Sequence, residues 1–132
     1  MSSLAGVLPD TVDVGPDGHL RLGGCDLVQV AEEYGTPLYV YDEATIRGRA
    51  RAYVSALGEA FPGESLVCYA AKAYCAPWLL RLLASEGLGL DVVSGGELYA
   101  ARHSGFPLDR VYFHGNNKGS DELRLAVEMG VR

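Results

Sequence analysis

Cysteine is scarce and unpatterned in this chain. Cys25, Cys68 and Cys75 are an odd number, with no C-x-x-C pair and no histidine at ligand spacing beside them, which excludes a disulfide framework and a Cys/His zinc site. They read as reduced, packed thiols, and Cys75, just past Lys72, reads either as structural or as lining the same site. Long apolar runs are missing too: none approaches the ~18 residues of a membrane span. Pro9, Asp10, Asp13, Pro16 and Asp17 interrupt the opening stretch where a signal peptide would need unbroken apolar residues. The expectation is a cytoplasmic protein without membrane contact. Lys and Arg number 11 against 17 Asp and Glu, a net charge of -6, which argues against nucleic acid as a bulk partner. Neither G-x-G-x-x-G nor G-x-x-x-x-G-K-[ST] follows any apolar run, which weakens a nucleotide-binding open sheet.

What is present is the composition of a globular protein, 132 residues with 48% hydrophobic side chains. Residues 1–24 are rich in Gly, Pro and Asp and read as a loose arm carrying one short strand, His19 to Leu22, without a core of its own. Asp26 then caps a helix with Leu27, Val30 and Ala31 as its apolar stripe and Gly35 as its stop. From Pro37 one pattern recurs: strand, capped helix, glycine. Pro37 to Tyr41 is predicted as a strand, Asp42 caps a helix to about Ala60, and Pro62-Gly63 breaks it. Leu66 to Ala71 is the next strand, with a helix from Pro77 to Ser85. Leu88 to Val93 precedes a helix over Gly95 to His103 capped by Ser94, and Arg110 to His114 precedes a helix to Met129 capped by Ser120.

Four such units imply an α/β fold with a parallel sheet, and without a nucleotide fingerprint the closed barrel is preferred. An eight-fold (β/α)8 barrel of the TIM type needs about 250 residues. The expectation is therefore a partial barrel, truncated after about four βα units, with the next strand due directly after Gly130-Val131.

In a parallel barrel, functional groups come from the C-terminal strand ends and the loops after them. Those positions are Tyr69-Ala70-Ala71-Lys72, Asp91 to Glu97, and His114 to Lys118. Lys72 can be a desolvated nucleophilic amine or a snorkelling lysine. Ser94-Gly95-Gly96 offers backbone N–H groups to an anion, or is an ordinary helix cap. His114 reads as an acid or base, or as a packed strand-end residue, and Asn116 and Asn117 by default as turn formers. Asp91 stands out, because a carboxylate in an apolar strand is costly unless it meets a cation or donors.

Taken together, Tyr69-Ala70-Ala71-Lys72, Leu90-Asp91-Val92-Val93-Ser94-Gly95-Gly96-Glu97-Leu98 and Phe113-His114-Gly115-Asn116-Asn117-Lys118 closely resemble the N-terminal barrel half of the diaminopimelate decarboxylases, pyridoxal-phosphate enzymes of the alanine-racemase-like fold type. Tyr34 to Asp42 looks like the same family's entry into the barrel. The resemblance implies a chain divided into residues 1–25, an arm whose strand belongs to a second β domain, and residues 26–132, the N-terminal half of the pyridoxal-phosphate-binding barrel. It implies Lys72 as the lysine that holds the cofactor covalently and as the catalytic residue, with Ala70, Asp91, Ser94 and His114 lining the cofactor and no metal. It implies decarboxylation of meso-2,6-diaminopimelate to L-lysine, the last step of lysine biosynthesis, and a homodimer when full length. The family's ring-stacking histidine, its phosphate loop, the carboxylate at the pyridine nitrogen and the C-terminal domain fall beyond Arg132, so the chain itself is expected to be an inactive piece. Alternatives left open are another basic amino-acid decarboxylase of the same fold, acting on ornithine, arginine or carboxynorspermidine, a non-catalytic barrel that carries the cofactor, and a barrel fragment in which Lys72 is only structural.

Overall fold

The computed structural model describes residues 6–132, so the start of the expected N-terminal arm lies outside the described residues. The chain divides into two compact units, one ending at Arg49 and one running Ala50–Arg132.

The first unit is more ordered than the arm expected from its composition. Three short strands, β1 (Asp13–Val14), β2 (Leu20–Leu22) and β3 (Cys25–Asp26), form an antiparallel sheet in the order β1-β2-β3. Only β2 was legible as a strand, because two-residue strands are too short to show alternation. Helix α1 (Leu27–Tyr34) follows with Asp26 as its N-cap, the carboxylate accepting Val28 N–H at 2.9 Å and Gln29 N–H at 3.3 Å. Its predicted stripe, Leu27, Val30 and Ala31, is half-buried while the other faces are exposed. Residues 37–41, expected as a strand, carry no ladder bond among the described residues. Their β propensity describes fit to a pleated, half-buried surface, and without a partner it does not make a strand. Asp42 does precede helix α2 (Glu43–Ala60); its buried carboxylate accepts the Thr11 hydroxyl at 2.8 Å and also that of Thr45.

In the second unit the strand–helix alternation appears as expected. Strands β4 (Cys68–Ala70), β5 (Gly89–Val92) and β6 (Val111–Phe113) form a parallel sheet in that order. Helices α3 (Pro77–Ser85), α4 (Gly95–Ser104) and α5 (Ser120–Met129) connect and follow them. Cys68 pairs with Gly89, Ala70 with Asp91 and Asp91 with Tyr112. Gly89 is required by close approach, since a Cβ there would lie 2.7 Å from Leu66 Cδ2 and 2.9 Å from the Arg110 carbonyl oxygen. Arg132 already takes a ladder position beside β6, donating to Val111 O at 2.9 Å and accepting from Phe113 N–H at 2.7 Å, where the next strand was due. One face of the sheet is covered by the helices: Leu90, Val92 and Val111 pack with Leu80, Leu98, Ala101, Phe106, Ala126 and Met129 in one cluster. Among the described residues no helix is long and apolar enough to cross a membrane.

The N-cap of α5 is Gly119, not Ser120. At this helix start the Glu122 carboxylate accepts Gly119 N–H at 2.9 Å, the half of a capping box that the third helical residue supplies.

Candidate active site

Strand parity sorts β5 into two faces. Leu90 and Val92 are fully buried against the helices, and Asp91 between them projects to the opposite face, its side chain about one-third exposed at 33%. The register then places Ala70, Asp91 and Tyr112 in one row across the three strands. His114 follows β6 in the same parity as Tyr112, and its N–H donates to Val92 O at 2.8 Å. Cys68 belongs to this face as well: burial and then the negative charge of Asp91 push its thiol above the ordinary range. Cys25 and Cys68 are exposed, not packed as expected, because the face of β4 that carries Cys68 has no helix over it, and Cys25 lies on the outermost of three very short strands.

Lys72 lies two residues beyond Ala70 of the row, in a single 3-10 turn, Ala71–Ala73, that begins where β4 ends. Ala71 is buried beneath it, 1% exposed, which anchors the turn while Lys72 itself is exposed. Among the described residues no carboxylate pairs with its ammonium, and its exposure is that of the snorkelling alternative in this chain. Asp91, for which a cation or donors were expected, has His114 as its ionic neighbour, Nδ1 to Oδ1 3.8 Å. That separation is too long for a hydrogen bond, and the contact is an ion pair only when the imidazole is protonated.

Ser94 is the N-cap of α4, its Oγ accepting Glu97 N–H at 3.3 Å. The anion expected at this helix start is supplied by the protein. The Glu122 carboxylate accepts Gly95 N–H at 2.7 Å, and the Glu97 carboxylate accepts Val93 N–H at 2.8 Å. In the loop after β6, the Lys118 ammonium donates to Gly115 O at 2.6 Å and lies 5.2 Å from the Phe113 ring centroid. Sequence reasoning missed Tyr112, which the two-residue period of a strand counted back from His114 would have given, and Glu122, for which an acidic residue in a helix first turn gives no distinguishing signal.

A parallel sheet with one helix-covered face, and on the other a row of polar groups leading to an exposed lysine at a strand end, defines the α/β class of protein that carries its chemistry at strand ends. Residues 43–132 match the pyridoxal-binding domain of the pyridoxal-dependent decarboxylases, and the chain belongs to that family, whose cofactor is pyridoxal phosphate. It is 53% identical to the diaminopimelate decarboxylase of Bacillus subtilis over 84% of its length, and 46% identical to that of Methanothermobacter thermautotrophicus over 96%. The structure superposes on the diaminopimelate decarboxylase of M. jannaschii with TM-score 0.82 and 39% identity, covering 93% of this chain and 29% of that one. A lysine/ornithine decarboxylase of Vibrio vulnificus, crystallised with putrescine, is more distant, with TM-score 0.69 and 28% identity over 80% of this chain and 28% of that one. The chain spans about a quarter of its relatives: 25% of the B. subtilis protein and 29% of the M. thermautotrophicus protein.

Proposed function

We propose that this chain is the cofactor-bearing part of a diaminopimelate decarboxylase, which converts meso-2,6-diaminopimelate to L-lysine and carbon dioxide, and that its parallel sheet is the first half of a (β/α)8 barrel. The observation that carries the reading is the row Ala70–Asp91–Tyr112 ending at Lys72 and His114, set in a chain 46% to 53% identical to diaminopimelate decarboxylases. Sequence identity supports the diaminopimelate branch, at 39% to the M. jannaschii enzyme against 28% to the lysine/ornithine enzyme.

The residues fit pyridoxal phosphate. An exposed primary amine, without a carboxylate partner among the described residues, is the group that condenses with an aldehyde. The bound cofactor supplies an electron sink for the pair left when a Cα–carboxylate bond breaks. Lys72 would hold the cofactor through its Nζ, and when not so engaged the same atom can carry a proton. The small side chain of Ala70 leaves space on the β4 side. Asp91 places a carboxylate beside the reacting face, with the His114 imidazole 3.8 Å away. Ser94, whose oxygen already accepts Glu97 N–H, has its hydroxyl proton free to donate. The full-length protein is cytoplasmic and dimeric in this reading, with residues 1–25 joining the second, β-rich domain.

The test is turnover by the full-length protein. Release of carbon dioxide and formation of lysine from meso-2,6-diaminopimelate, with kcat/KM at least about a hundredfold above that for ornithine, supports the assignment. Preference for ornithine or arginine moves the protein to another branch of the fold, and cofactor binding without turnover of either substrate refutes the enzymatic reading.

A further inference from the structure

Glu122 stands in the first turn of α5, where a carboxylate needs no purpose beyond the helix dipole. Its two oxygens, however, serve different elements. Oε1 accepts Gly95 N–H at 2.7 Å, and Oε2 accepts Gly119 N–H at 2.9 Å. Gly95 opens α4 after β5, and Gly119 caps α5 after β6. A single carboxylate therefore closes two helix N-termini and joins the two loops that follow the strands bearing Asp91 and Tyr112. The two N–H donors, Gly119 first and Gly95 second, hold its carboxyl below the usual range, as expected of a carboxylate that stays ionised between them.

The linkage leaves little room at its far end. Gly95 is helical, at a position where backbone conformation alone admits alanine, but a Cβ there would lie 3.3 Å from Glu122 Cγ and 3.4 Å from its Oε1. The surrounding bonds stiffen both loops: Glu97 binds Val93 N–H after β5, and Lys118 binds Gly115 O after β6. Asp91 projects from β5 and His114 directly follows β6, their Oδ1 and Nδ1 3.8 Å apart on the open face.

We infer that Glu122 is a positioning residue for the candidate active site: it fixes the spacing between the turn after β5 and the loop after β6, and through them the Asp91–His114 pair. This rests on reading the open face as the cofactor site, and the experiment separates the two.

In the full-length protein, Glu122→Gln leaves one acceptor oxygen and turns an NH2 group against the other amide, while Gly95→Ala crowds the same carboxylate from the opposite side. Each variant is expected to raise amide hydrogen exchange in peptides spanning 93–97 and 115–119 together by about tenfold, with the α3 core at 79–83 changed less than about twofold. The double variant should be no worse than the worse single, the non-additivity of two changes to one contact. In the cofactor-loaded enzyme, kcat should fall about tenfold with KM within about twofold. Faster exchange in one loop only, faster exchange throughout, or additive singles would reduce Glu122 to a local cap or a general stabiliser and overturn the inference. Coupled exchange in both loops with unchanged kinetics would keep the linkage and count against the open face as the site.

Discussion

Asp91 owes its exposure to parity alone, since its neighbours Leu90 and Val92 are both fully buried. A carboxylate held on the central strand of an apolar sheet is costly unless it is used, and replacing it with alanine in the full-length enzyme should lower kcat/KM by more than about tenfold, ~1.4 kcal/mol in barrier, with an unchanged circular dichroism spectrum. Unchanged kinetics would make Asp91 structural. A second residue-scale expectation concerns the first unit, where His19 Nδ1 lies 2.9 Å from Asp26 Oδ2, with Asp17 at 3.9 Å and Arg21 paired to Asp17 at 3.3 Å. The hydrogen bond to Asp26 raises the His19 pKa above 6.5, and the same bond lowers that of Asp26 below 3.8. The raised histidine stabilises fully below 6.5 and loses this as pH rises through its folded value; the lowered aspartate stabilises fully above 3.8 and loses this as pH falls through its folded value. Protection of the Val28 and Gln29 amides, corrected for intrinsic exchange, should therefore be greatest between these limits, and His19→Ala should remove the alkaline limb. A flat profile in the unsubstituted protein would show that the pair does not support the cap. Lys72, Asp91 and His114 were legible because strand ends in a βα repeat are positions of known use. Glu122 was not, because its meaning depends on Gly95, 27 positions away in sequence.

At the scale of elements, the helices α3 and α4 were legible nearly to the residue: Pro77 at the first turn, Ser94 as cap and Gly105 as stop are local signals that no tertiary contact overrode. Strands β1 and β3, which were not foreseen, and residues 37–41, which were expected as a strand, were misread in opposite directions, and for one reason. Strand formation depends on a partner, which the antiparallel sheet supplies to two-residue segments and which the apolar run lacks among the described residues. Central β5 has a partner on each side and both of its buried side chains in the core, so Leu90→Ala should cost about 2–5 kcal/mol through lost packing and a cavity. Denaturant midpoints of the full-length protein measure this. A loss below about 0.5 kcal/mol, the level of an ordinary surface change, would mean that β5 does not organise the core.

For the whole molecule, the alternation of strand and helix sufficed to predict the parallel sheet, and Arg132 taking a ladder position beside β6 agrees with the strand expected there. The complete catalytic apparatus lay beyond reach, because the chain spans 25% of the B. subtilis relative. In isolation the 132-residue chain should neither decarboxylate diaminopimelate nor retain pyridoxal phosphate through gel filtration, since three parallel strands present an edge and an open face instead of an enclosed site. Turnover by the isolated chain would show that the chemistry needs fewer groups than argued here. The central claim, that this sheet delivers Lys72 to the cofactor, is tested most directly by borohydride reduction of the cofactor-loaded full-length protein followed by peptide mapping. The account predicts a pyridoxyl mass on the peptide containing Lys72 and its loss in Lys72→Ala; a label on any other lysine would contradict it.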